Sequence, residues 1–207
     1  MTDVKNFIIS VHRFILELKR PSKQKNIRLL NKRGESLSNF KIREISHEDL
    51  PALAALHVKT WSQTYWMTLS PPSYRIRYFQ WQQIFSTQDG SWFCFVVENE
   101  KGELVGFAKG KTYNHQDLPE FSGELNKIYL LREYQRIGLG RKLVGVVAKK
   151  FISMGISNMV LFGTAENPSN KFHEVLGGEK LIAKNGEFHG GYCWRDLKKL
   201  VEICPVD

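Results

Sequence analysis

The chain has 207 residues, room for one domain of about 150 residues plus an extension and too few for two ordinary enzyme domains. Hydrophobic residues at 42% and charged residues at 25% match a folded domain, and exclude general disorder, a collagen-like repeat and a disulfide-dense scaffold. Lys and Arg total 30 against 21 Asp and Glu, a net charge of +9 that raises nucleic acid or an anionic surface as a partner.

That charge is unevenly placed. Residues 1–39 hold nine basic and three acidic side chains, so the segment is +6 and residues 40–207 are only +3. Val4, Phe7, Ile8, Val11, Phe14, Ile15 and Leu18 recur at helical spacing. The spacing predicts an amphipathic helix over about 3–19, ending before Pro21. A basic linker with turn signals at Gly34 and Ser36–Ser38 is expected to follow, up to residue 39. Packing on the body or on a second copy of the chain, a membrane surface and a nucleic-acid arm are the roles open to this helix. No apolar run reaches the ~18 residues of a membrane-spanning helix. The N-terminal apolar residues are interrupted by Asn6, Ser10, His12 and Arg13, unlike a secretory signal. Cys94, Cys193 and Cys204 are odd in number and far apart. They read as small buried thiols of a reducing, cytoplasmic compartment, with no spacing that suggests a metal.

A domain is expected over 40–207. Lys41–Ile45 alternates as a strand. Ser46, with Asp49 three residues on, marks a helix start. Leu50, Leu53, Leu56 and His57 then share a helical face, and a second helical stretch runs through 75–85. Strands are predicted at 92–97 and 104–108, joined by a turn at Asn99–Gly102, and again at 125–131. A helix over 141–151 is closed by Gly155 at its C′ position. A strand at 159–162, a helix at 169–176 and strands at 180–183 and 191–194 complete the chain. This order argues an α+β fold with a mainly antiparallel sheet flanked by helices.

The stretch 124–141 carries the most chemistry. A strand runs into Gln135-Arg136-Ile137-Gly138-Leu139-Gly140 and a helix follows. Free N–H groups at a helix start, glycines without Cβ, and the cations Arg136 and Arg141 suit a phosphate. The dinucleotide fingerprint fails because Leu143 stands where its third glycine is needed; the P-loop fails because Arg141 replaces its lysine.

Gln135, Gly138 and Gly140 resemble the Q/R-x-x-G-x-G/A signature of the GNAT superfamily of N-acetyltransferases. Asn167-Pro-Ser-Asn-Lys-Phe-His-Glu-Val-Leu-Gly-Gly178 is similar to that family's second motif. The resemblance covers about 40–200. It implies the acyl-CoA N-acyltransferase fold, with acetyl-CoA as co-substrate and an amine as acceptor, a small molecule or a peptide. The charge distribution argues against nucleic acid as a partner. The resemblance also implies that the backbone of Ile128, Tyr129 and Leu130 bonds the pantetheine arm. The amides of Arg136, Ile137, Gly138, Leu139, Gly140 and Arg141 would hold the pyrophosphate, and Asn167 would contact the cofactor. No metal is implied.

An amine attacks only when neutral, so a base is needed; alkylamines titrate near ~10.4, whereas a thiol near ~8.5 leaves tolerably as thiolate. Glu124 occupies the position of the family's catalytic glutamate, with Glu120 a weaker substitute. Glu124 also reads as an exposed carboxylate at a strand start. His173 stands where the family carries a tyrosine acid. It reads as an imidazolium acid, as a hydrogen-bonding group, or as a packing substitution with Tyr134, Tyr129 or no residue as acid. Trp61, Tyr65 and Trp66 are expected to line the acceptor pocket or to pack between helices. No nucleophile motif is present, which favours direct transfer in a ternary complex. The alternatives are an acyl-CoA sensor without turnover, or a different acyl donor. Removal of residues 1–39 is expected to leave acetyl-CoA affinity nearly intact.

Overall fold

The computed structural model describes residues 22–65, 70 and 72–206. The helix expected over 3–19 and the side chain of Trp66 lie outside the described residues. The elements are α1 (Lys23–Arg33), β1 (Lys41–Glu44), α2 (Leu50–Tyr65), α3 (Tyr74–Ser86), β2 (Trp92–Glu98), β3 (Leu104–Thr112), β4 (Gly123–Leu130), α4 (Leu139–Ser153), β5 (Met159–Leu161), α5 (Asn170–Val175), β6 (Glu179–Ile182), β7 (Phe188–Trp194) and α6 (Leu197–Ile203). One seven-stranded sheet runs in the order β1-β2-β3-β4-β5-β7-β6. Every neighbouring pair is antiparallel except β4–β5. The expected α+β sheet is therefore observed.

Local chemistry explains the boundaries. Ser46 and Asp49 form the reciprocal capping box, from which α2 continues. In the β2–β3 turn, Asn99 Oδ1 accepts from the amides of Lys101 and Glu103, and Gly102 takes φ +75°. Gly155 has φ +79° just after α4, as its C′ role requires.

Two layers bury the sheet. Helices α2 and α3 cover one face through Leu53, Leu56, His57 and Trp81; α4 covers the other through Leu143, Val147 and Phe151. Each such aliphatic or phenyl side chain contributes about 1.5–3 kcal/mol relative to exposure. Helix α6 crosses α4 so closely that a Cβ on Gly145 would lie 2.2 Å from the Cys204 carbonyl oxygen. All three cysteines are free and buried.

The stretch 21–39, read as a linker, is instead largely helical. Ser22 caps α1 by accepting from the Lys25 amide, and Gly34 closes it with φ +73°. The basic, polar composition hid the helix because only Asn26 and Leu30 are buried in it. Helix α6 was not read either: its seven residues hold just two buried anchors, Leu197 and Leu200.

Candidate active site

The parallel pair β4–β5 lasts only two positions, Gly123 opposite Met159 and Glu124 opposite Val160. Beyond them the strands part, and the sheet opens into a cleft bordered by the second half of β4. Leu131 N donates to Val105 O at 2.9 Å, which makes Gly106–Leu130 a non-hydrogen-bonded pair of the β3–β4 ladder. Leu130, and by alternation Ile128, therefore direct their backbone N–H and C=O groups into the cleft. Tyr129 does not: its backbone bonds β3, and its ring faces α2 and α3. Of the three residues expected to meet the pantetheine arm, Ile128 and Leu130 turn their backbone groups to the cleft and Tyr129 turns its own to β3.

The turn after β4 is built to leave amides free. Gln135 Nε2 donates to the Leu130 carbonyl at 2.9 Å, folding the chain back toward the cleft. Arg136 (φ +64°) and Gly138 (φ +99°) take left-handed backbone. Space around a Gly138 Cβ is open. The first helical bond of α4 is Lys142 N to Gly138 O, and neither a capping side chain nor an acidic residue sits in the first turn. The amides of Leu139, Gly140 and Arg141 thus lack helical partners at the positive end of the helix dipole. Leu139 is buried, so it offers its amide alone. Arg136 and Arg141 are exposed, and Arg141 Nη1 donates to Ile203 O at 3.4 Å.

Helix α1 braces this turn from behind. Asn26 is 2% exposed, and its Nδ2 donates to the carbonyls of Arg132 (3.0 Å) and Gln135 (2.7 Å). Gln63 holds the same turn from α2, accepting from the Arg132 amide at 2.8 Å. Tyr134 is buried there. Its hydroxyl donates to Glu35 Oε1 at 3.2 Å and accepts from Arg33 at 3.3 Å. That network occupies the hydroxyl, which counts against Tyr134 as an acid for the thiolate.

Where the cleft begins, Glu124 is 7% exposed. Its Oε1 accepts from Asn126 Nδ2 at 2.6 Å, and its Oε2 meets Lys111 Nζ at 2.9 Å. The β3–β4 register shifts between Lys109 and Gly110, so Asn126 is an extra residue on β4. Lys109 and Lys127 stand opposite each other. Lys109 is 7% exposed, and burial pulls its ammonium down to about 8. Burial lowers Lys127 too, with Arg77 adding to the shift. Over this face His57 accepts from Trp81 Nε1 at 3.2 Å; desolvation holds its pKa down to about 3, so it is neutral at pH 7.

His173 lies away from solvent, 3% exposed, against Phe172, Tyr192 and Trp194. Burial lowers its pKa to about 4. At pH 7 it is neutral, which counts against the imidazolium reading; among the described residues its buried Nδ1 has no partner, so the hydrogen-bonding and packing readings both stand. Near the second motif, Asn167 Nδ2 donates to the Tyr65 hydroxyl at 3.4 Å. Burial raises the Tyr65 pKa, and burial followed by Tyr65 raises Tyr129 to about 12, which marks the two phenols as neighbours. The Trp61 and Tyr65 rings lie 5.1 Å apart between centroids, tilted at 43° to each other. Among the described residues, no group of three His, Cys, Asp or Glu could hold a metal ion, and no helix is long and apolar enough to cross a membrane.

Residues 54–177 match the model of the acetyltransferase (GNAT) family. The chain is also 32% identical over 168 residues to the uncharacterized N-acetyltransferase YuaI of Bacillus subtilis, covering 77% of this chain and 95% of that one. The chain belongs to the GNAT acetyltransferase family. Solved structures agree on the GNAT fold. The PaiA N-acetyltransferase of Thermoplasma acidophilum, in complex with coenzyme A, matches with a TM-score of 0.62 and 21% identity, over 75% of this chain and 98% of that one. The spermidine N-acetyltransferase of Vibrio cholerae, in complex with CoA and spermine, matches with a TM-score of 0.55 and 18% identity, over 79% and 99%.

Asn26, Arg77, Lys109 and Lys127 were not singled out from the GNAT sequence. Phe107, Lys109 and Lys111 recur at the strand period of two, a signal that puts the lysines on the same face as a buried phenylalanine. Nothing local marks Asn26, because its partners lie more than 100 residues away.

Proposed function

We propose that this GNAT protein is a cytoplasmic N-acetyltransferase that moves the acetyl group of acetyl-CoA directly to a primary amine. The observation that carries this reading is the cleft between β4 and β5, with the unsatisfied amides of the following turn at its end. A pantetheine arm has amides of its own to pair with Ile128 and Leu130, and a pyrophosphate suits the amides of Arg136–Arg141. The CoA bound to fold relatives supports the same occupant. The cytoplasmic assignment rests on the three buried, unpaired cysteines.

Glu124 is the proposed base, drawing the amine proton through a water. Its bonds to Lys111 and Asn126 fix the carboxylate at the mouth of the splay. The cations nearby disfavour an ammonium in the pocket, which eases deprotonation of the acceptor. Amides facing the cleft stabilise the tetrahedral oxyanion. The leaving thiolate needs little acid assistance, and the Tyr65 phenol, protonated and joined to Asn167, is the donor best supported by position.

Isothermal calorimetry with acetyl-CoA, followed by thiol release with a panel of amines, tests the proposal. Binding with amine-dependent thiol release is expected. Binding without release from any amine assigns the protein to acyl-CoA sensing instead, and absence of binding sinks the cofactor assignment.

A further inference from the structure

The face of β3 and β4 beside Glu124 is strongly positive. Lys109 and Lys127 face each other across β3 and β4, and Lys111 follows at the next same-face position. Arg77, on α3, lies near Lys127 and His57, close enough that its charge lowers both. Against these four cations stands Glu124, the one carboxylate among the strongest influences on Lys109 and Lys127, and Lys111 already pairs with it. Among the described residues, Lys109, Lys127 and Arg77 make no salt bridge. Among the described residues, the buried Nε of Arg77 has no partner, although its Nη1 donates to Gln80. Among the described residues, Lys127 donates only to the neutral Asn126 at 3.2 Å, and Lys109 has the Trp92 ring at 5.5 Å. Burying like charges together is costly unless a counter-charge arrives. Packing alone gives a sheet no reason to place two lysines opposite each other near an arginine.

We infer that the acceptor is an amine that also carries a compact oxyanion, a carboxylate or a phosphonate, seated between Arg77, Lys109 and Lys127. The inference rests on the acetyltransferase reading and specifies its substrate class. Arg77 and the two lysines converge on the anion, and the amine points toward Glu124, the remaining negative group of the pocket. A polyamine, with cations at every nitrogen, meets repulsion from the same cluster.

Matched pairs of amines test this with the full chain: alanine and alaninamide, 2-aminoethylphosphonate and 2-aminoethanol, with spermidine alongside. Charged hydrogen bonds of this kind predict a kcat/KM at least about tenfold higher for the anionic member of the preferred pair, with spermidine poorest. Comparing the two pairs separates carboxylate from phosphonate. The trend runs against intrinsic reactivity, since an α-amine next to an amide titrates near ~8 and is more often neutral. Arg77→Gln and Lys127→Gln are each expected to shrink the anion preference about tenfold while acetyl-CoA affinity stays within about twofold. If turnover is too slow to rank the pairs, the Kd ratio of each pair for the CoA-loaded protein decides by the same criterion. Equal or inverted preference, or a preference that survives both substitutions, overturns the substrate class while acetyl-CoA binding upholds the transferase. Absence of acetyl-CoA binding overturns both.

Discussion

Replacing Asn26 by alanine isolates the brace between α1 and the turn 132–135. The side chain is 2% exposed and its amide donates to two backbone carbonyls, at 3.0 and 2.7 Å. At about 1 kcal/mol for each net hydrogen bond, the variant loses about 2 kcal/mol of stability. That corresponds to roughly 4–8 °C in melting temperature for a chain of this size. Asn26→Asp has the same shape but sets an acceptor against two acceptors, so it costs more than alanine. Because the braced turn is the one proposed to present amides to the pyrophosphate, acetyl-CoA affinity is expected to fall in both variants. Removal of residues 1–39 does the same, contrary to the expectation drawn from sequence. Urea denaturation gives the stability and calorimetry gives the affinity. An alanine variant within about 0.5 kcal/mol of the parent and with unchanged acetyl-CoA affinity refutes the reasoning, as does an aspartate variant milder than alanine.

Three further outcomes follow from the same geometry. Glu124→Gln lowers kcat about 10²- to 10⁴-fold with acetyl-CoA binding intact; an unchanged pH–rate profile shows that the base lies elsewhere. His57 and His173 have folded pKa values of about 3 and about 4, below the usual 6.5, so the unfolded chain binds more protons and stability falls as pH drops from about 6.5 toward about 4. The slope approaches roughly 1.4 kcal/mol per pH unit for each histidine, and denaturation at pH 7.5, 6 and 5 should show it flattened by His173→Phe. Asp49, held near 2 by Arg43, loses its contribution only at lower pH, below its ordinary value near 3.8. Gly145→Ala gains helix propensity but drives a Cβ to 2.2 Å from the Cys204 carbonyl oxygen, for a net loss of about 1–3 kcal/mol; a higher melting temperature contradicts the close α4–α6 crossing.

Legibility in the sequence followed the locality of the signal. The capping box of Ser46 and Asp49, the turn at Asn99–Gly102 and the glycine turn before α4 depend on residues within a few positions of one another. Each appears where the sequence predicts it. Strand β4 was found, but the orientation of its amides was not, since that depends on the bulge at Asn126 and on where β5 departs. Helix α1 was missed because it meets the body through one amide and one leucine instead of an apolar stripe. For His173 the sequence left three readings open, and the one consideration it could not supply is that Tyr192 and Trp194, distant in sequence, enclose the ring, whose burial keeps it neutral. The cationic cluster needed three elements in register before it could be seen at all.

The parting of β4 and β5 has a consequence for the sheet as a material. Strand β4 is central in the strand order, yet past Glu124 one flank of it is an exposed rim of the kind that, on an outer strand, invites another chain to add itself. Set inside a cleft, the rim admits something about one strand wide. An arm with amides along its length meets that requirement, so on the proposed reading the gap between β4 and β5 would be closed by the cofactor itself. The two half-sheets, β1–β4 and β5–β7–β6, would then be sewn together on loading and loosened on release. Amide hydrogens of Ile128 and Leu130 are the stitches whose exchange rates should report it.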